Sequence, residues 1–146
     1  MSSAVYTNAK YLMLANTLQW AAPAVVFRAM LVTDSYVYNS AHVSVSDVIG
    51  YEVSSSSYAR VDVTSRTVTR DIGGDTASAR AASVVFPVLY NCTPSGCLIY
   101  RRGGANDDTP SDDYLVCFVD FPAVATVQAD FIVEFGAAGV FSIRSA

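Results

Sequence analysis

The strongest constraint on this chain is a succession of short runs rich in Val, Ile, Phe and Tyr, each stopped by turn-forming Gly, Pro, Asp, Asn or Ser. Residues 25–32, V-V-F-R-A-M-L-V, end at the turn-prone T-D-S and read as a strand buried on both faces. Residues 59–64 alternate strictly: Ala59, Val61 and Val63 against Arg60, Asp62 and Thr64, the period of a strand with one buried and one wet face. A further strand signal lies in residues 81–90. Pro87 interrupts it and removes a ladder donor, which predicts a sheet edge or a bulge. C-L-I-Y at 97–100 follows a Pro-Ser-Gly turn and reads as the hairpin partner of that strand. In residues 114–121, Leu115, Cys117 and Val119 share one face and Val116, Phe118 and Asp120 the other. V-Q-A-D-F-I-V-E-F at 127–135 and V-F-S-I at 140–143 supply two last strands around G-A-A-G. Residues 42–49 predict a loop or helical turn ending at Gly50. Roughly six to eight strands with turns about every ten residues predict a mainly β protein, an antiparallel β-sandwich or small barrel-like domain.

One segment has helical spacing. Over residues 7–19, Leu12, Ala15 and Leu18 can share a face, Thr7 or Asn8 can cap the start, and Pro23 lies past the end. The expected organisation is therefore an N-terminal arm and short helix over 1–24 and a single β-domain over 25–146.

The 146 residues are 52% hydrophobic but only 15% charged, so much of the surface is uncharged or covered by partners. A net charge of -4 with a single lysine, Lys10, argues against nucleic acid, whose phosphates call for clustered cations. No apolar run reaches the roughly 18 residues of a membrane helix, and no signal-peptide pattern opens the chain, so a soluble, unprocessed form without a membrane partner is expected. Cys92 and Cys97 flank a turn and could pair across a hairpin. Adjacent-strand geometry often suits disulfides poorly, which favours buried free thiols for them and for Cys117.

Few residues offer chemistry. His42 is the only histidine, so neither a catalytic triad nor a multi-histidine metal site can form within one chain, and no enzyme activity or cofactor is expected. The loop over residues 101–113 carries Asp107, Asp108, Asp112 and Asp113, whose spacing departs from a calcium loop and fits an exposed, mobile acidic tip. Arg101 and Arg102 opposite these aspartates form a candidate local or intersubunit salt-bridge set. Gly73-Gly74 and Gly103-Gly104 lack a phosphate-loop context, and the sequon at Asn91 carries little weight without a secretion signal. Trp20, Tyr36 and Tyr38 flank loops, where core packing and an interface role are both open.

The order of short words is more specific than any one of them. L-V-T-D-S-Y precedes S-D-V, Y-E-V-S, S-Y-A, T-S-R-T-V-T-R-D and A-R-A-A; then come L-I-Y, L-V-C-F-V-D-F and the expected hairpin F-G-A-A-G-V-F-S-I. Over residues 6–143 this order resembles a family of small tailed-bacteriophage virion proteins that includes capsid cement, or decoration, proteins; residues 75–96 depart from it. The resemblance implies a β-sandwich-like domain that forms a homotrimer. It also implies a site on the outer capsid surface of the virion, after synthesis in the host cytoplasm, where the protein binds the major capsid protein and clamps its subunits. Two alternatives remain open. One is a neck, tail or baseplate component; the other is a carbohydrate-binding module with Trp20, Tyr36 and Tyr38 as stacking platforms.

Overall fold

The computed structural model describes residues 2–144, which form three open antiparallel sheets and one short helix. The sheets stack in a sandwich-like arrangement, and none closes into a barrel among the described residues. The largest has strand order β1-β8-β7-β2-β3, from Ser2–Val5 (β1), Phe27–Val32 (β2), Val61–Asp62 (β3), Gly96–Arg101 (β7) and Tyr114–Asp120 (β8). Its middle is apolar on both faces, and residues 96–100 and 115–119 are all buried. Such strands need cover on each side. Gly96 is required here, because a Cβ would collide with the ring of Phe118 on the neighbouring strand.

One cover comes from Thr7–Leu14 (α1), the loop that follows it, and a small sheet of order β10-β5-β4. That sheet is built from Thr67–Asp71 (β4), Thr76–Arg80 (β5) and Phe141–Arg144 (β10). Trp20 joins the layers: its ring packs edge-on against Phe27 of β2 at 4.8 Å and against Phe141 of β10 at 5.3 Å. Its indole N–H donates to the carbonyl of Arg80 at 3.1 Å. A two-stranded ribbon of Val84–Tyr90 (β6) and Val127–Val133 (β9) adds Val84, Phe86, Leu89 and Val133 to the core. A second cover is aromatic, with Tyr36 edge-on to Phe118 at 5.0 Å and Tyr38 stacked on the same ring at 6.3 Å.

Several expectations change. The helix stops at Leu14 rather than near residue 19, because Asn16 adopts a left-handed φ of 56° and the Leu12 carbonyl accepts from the N–H groups of Thr17 and Leu18. Neither Thr7 nor Asn8 caps it; Tyr6 holds that position, with its N–H bonded to the Val116 carbonyl. The N-terminal arm is a strand, β1, paired in register with β8. Residues 97–100 pair with β2 and β8 rather than with β6, whose partner is β9. The expected C-terminal hairpin divides between sheets, β9 pairing with β6 and β10 with β5. Of the alternating segment only Val61–Asp62 is strand, and Ala59 is exposed while Arg60 is drawn inward by Glu52.

Other expectations hold. At Pro87 the ladder breaks as expected: the register shifts between Phe86 and Leu89, Val88 takes a φ of 47°, and the Val88 N–H turns to the Asp130 carboxylate at 3.0 Å. Short 3-10 turns at Val45–Asp47 and Ile49–Tyr51 occupy the segment expected to be loop or helical turn. Cys92, Cys97 and Cys117 are free thiols, Cys97 and Cys117 buried as expected and Cys92 only half-buried, and burial pushes the Cys97 thiol up to about 12.

If Trp20 ties the two layers, Trp20→Ala opens a cavity at their junction and lowers unfolding stability by about 3–5 kcal/mol. Chemical denaturation checks this; a loss below about 0.5 kcal/mol is what an exposed side chain would give.

Candidate interaction surface

The residues singled out as interface candidates divide sharply. Trp20 and Tyr36 are buried, only 5% and 7% exposed, and Tyr38 is half-buried with its hydroxyl donating to the Val5 carbonyl at 3.0 Å. Tyr36 shares a 2.6 Å hydrogen bond with Tyr6, whose phenol burial pushes far up, and a 3.3 Å one with His42 Nδ1. Stacking a sugar needs an exposed ring face, and Trp20 and Tyr36 present none. The sole histidine is thereby placed as a partner of the tyrosine cluster.

The acidic loop is anchored rather than loose. Asp107 accepts from the Tyr100 hydroxyl at 2.9 Å and forms an ion pair with Arg28, which also holds Asp62 at 2.8 Å. Arg28 thus replaces Arg101 and Arg102 in the expected salt-bridge set. Arg102 donates to the Gly104 carbonyl at 3.2 Å, Arg101 is half-buried with no partner for its Nε, and Asp108 binds its neighbour Asn106. Asp112 is exposed at the end of the Pro110–Asp112 turn. No group of three or more potential metal ligands gathers among the described residues.

A polar belt continues from this anchor. Arg60 binds Glu52 through two bonds, Nε to Oε1 at 2.7 Å and Nη2 to Oε2 at 2.8 Å, and the Tyr58 hydroxyl donates to the same carboxylate at 2.7 Å. Arg60 also lies over the Tyr100 ring, 5.4 Å from its centroid. These contacts raise its pKa, first through the hydrogen bonds to Glu52. Arg28 Nη2 donates to the Arg60 carbonyl at 2.8 Å, joining the two clusters. Arg66 does comparable work elsewhere, donating to the carbonyls of Trp20, Ala22, Val25 and Val63 from above the Phe27 ring.

Among the exposed apolar side chains, two sets lie on sheet faces. On the β6–β9 ribbon, Val85 and Ile132 are cross-strand partners that face solvent together, with Val88 nearby and Val127 81% exposed. On the small sheet, Val68 and Ile143 are exposed beside Leu14 of α1. Sequence reasoning missed both. Val85 and Ile132 alternate with buried Phe86 and Val133, so a period of two within the apolar runs is the signal that could have found the first.

Asp113 tests the electrostatics. Burial first, and then the Asp107 charge, push its carboxyl above the usual range, against the pull of the Gly103 N–H at 3.0 Å. The fold therefore binds this proton more tightly than the unfolded chain does, and its contribution falls as pH rises through the raised value. Asp113→Asn, which keeps an oxygen for Gly103, raises the melting temperature by about 2–5 °C at neutral pH, and the gain vanishes at acidic pH where the native carboxyl is protonated. Asp107→Ala frees the loop, and trypsin cuts after Arg101 or Arg102 roughly tenfold faster, whereas an unchanged rate would mean the anchor is idle. No family model, curated protein or solved structure matches the chain.

Proposed function

We propose that this protein is a tailed-phage capsid cement protein, which seats on the outer surface of the head and stabilises contacts between major capsid subunits. The order of sequence words motivates the reading. The observation that supports it best is the exposed aliphatic face of the β6–β9 ribbon, where Val85 and Ile132 lie side by side and Val127 stands almost fully in water. Covering such a face against a protein partner removes apolar surface from water at about 25 cal/mol per Å².

The mechanism is mass action. A protein that binds assembled subunits and not separated ones lowers the free energy of the assembled shell, and does so more strongly as its concentration exceeds its dissociation constant. The broken ladder at Pro87 suits a ribbon that must fit another surface, because the bulge twists the strands away from simple edge pairing.

Heads prepared without the protein and then titrated with it provide the test. Wild type is expected to label a regular lattice over the head and to raise the temperature of DNA release. Ile132→Asp, at a site already half in water, is expected to fold normally and to bind heads at least about tenfold more weakly. Labelling confined to the tail, or DNA release at one temperature with and without the protein, overturns the proposal.

A further inference from the structure

Each of the three sheets is open, and their edges are protected to different degrees. β3 is only two residues long, and β1 and β10 lie close to each other. On the ribbon, Pro87 and Val88 break β6, and Gln128 takes a left-handed φ of 58° in β9. The remaining edge is β4. It pairs all five of its residues with β5 in unbroken register, and every one of its side chains is exposed, Val68 at 60%. It carries neither proline, nor bulge, nor lysine; its two charges, Arg70 and Asp71, stand together at one end, and Thr67, Val68 and Thr69 are β-branched.

We propose that β4 is a self-association edge, pairing antiparallel with β4 of a second copy to join two three-stranded sheets into one of six strands. Symmetry fixes the register. A two-fold axis between antiparallel strands keeps each residue on its own face, so one residue must lie opposite itself. Full overlap of Thr67–Asp71 puts Thr69 there, Val68 opposite Arg70 of the other copy, and Thr67 opposite its Asp71. The arginine stem then covers Val68, and the threonine hydroxyl can donate to the carboxylate. Slipping the pairing by two residues sets Arg70 against Arg70 in one direction and, in the other, shortens the ladder to Thr67–Thr69, because Arg66 lies outside β4 with its guanidinium bonded to backbone carbonyls, so charge and length select the fully overlapped register. In it the apolar stripe of Val68, Ala77 and Ile143, which share a face by register, continues across both copies.

This pairing is two-fold, unlike the trimer that the family resemblance implies, and it is tested on the isolated protein, so its outcome is separate from head binding. Sedimentation equilibrium of wild type is expected to give twice the 15.6 kDa monomer mass. Val68→Lys sets two like-charge pairs face to face and is expected to weaken the dimer at least about tenfold, whereas Val68→Asp faces Arg70 and keeps it. That order is opposite to what the net charge of -4 alone would give, since the lysine reduces repulsion between copies and the aspartate adds to it. In a Cys92→Ser background, Thr69→Cys is expected to crosslink to itself under a short bifunctional thiol reagent, and Thr67→Cys to crosslink far less. A monomeric wild type, a Val68→Lys variant as dimeric as Val68→Asp, or equal crosslinking at 67 and 69 overturns the proposal; circular dichroism confirms that each variant is folded.

Discussion

Everything in this fold follows from two adjacent strands, β7 and β8, that are apolar on both faces. A sheet with such a centre cannot leave either side to water, so the remaining chain has to supply two covers. Trp20, Phe141 and the small sheet supply one, and Tyr6, Tyr36 and Tyr38, the last two packed on Phe118 of β8, supply the other. The aromatic content that looks like interface material in the sequence is therefore committed inside. On the sheets, exposed apolar surface is left to aliphatic side chains of the outlying β6–β9 ribbon and β4–β5–β10 sheet.

Polar groups near the main sheet are organised by two arginines. Arg28 and Arg60 join Asp62, Asp107, Glu52, Tyr58 and Tyr100 into one belt that fastens the long loop and the 51–62 segment to the sheet. Ion pairs of this kind, partly withdrawn from water, add little net stability compared with apolar packing, but removing one partner leaves the other without compensation. Their role is to fix conformation: the Arg101–Asp113 region has few apolar side chains to hold it, and the Arg28–Asp107 pair together with the Gly103–Asp113 bond closes it.

How much was legible depended on whether a signal was local. The mainly β class, the strands at 27–32, 96–101 and 114–120, and the break at Pro87 followed from apolar runs and proline chemistry. Pairing is not legible, because the apolar runs of β2, β6 and β8 are alike as partners for β7, and the whole sheet gives it β2 and β8 together. β5 gives no local signal because T-A-S-A-R has small side chains and no apolar run, yet Ser78 and Ala79 are buried in the middle strand of the small sheet, between β10 and β4. Helical spacing over residues 7–19 places Asn16 inside the helix, although asparagine tolerates the left-handed turn that ends α1. Burial of Trp20 and Tyr36 was undecidable locally, since loop-flanking aromatics serve packing and binding alike. Arg60 illustrates the same limit: alternation put it on a wet face, and only the arrival of Glu52 and Tyr100 made a partly buried site for it.

Native-state hydrogen exchange shows whether both covers rest on β7 and β8. Amides of residues 98–100 and 116–118 are expected to exchange last, through global unfolding alone, while those of α1 open earlier through local motions. Equal or greater protection in α1, or β7 and β8 amides that exchange well before global unfolding, would contradict it.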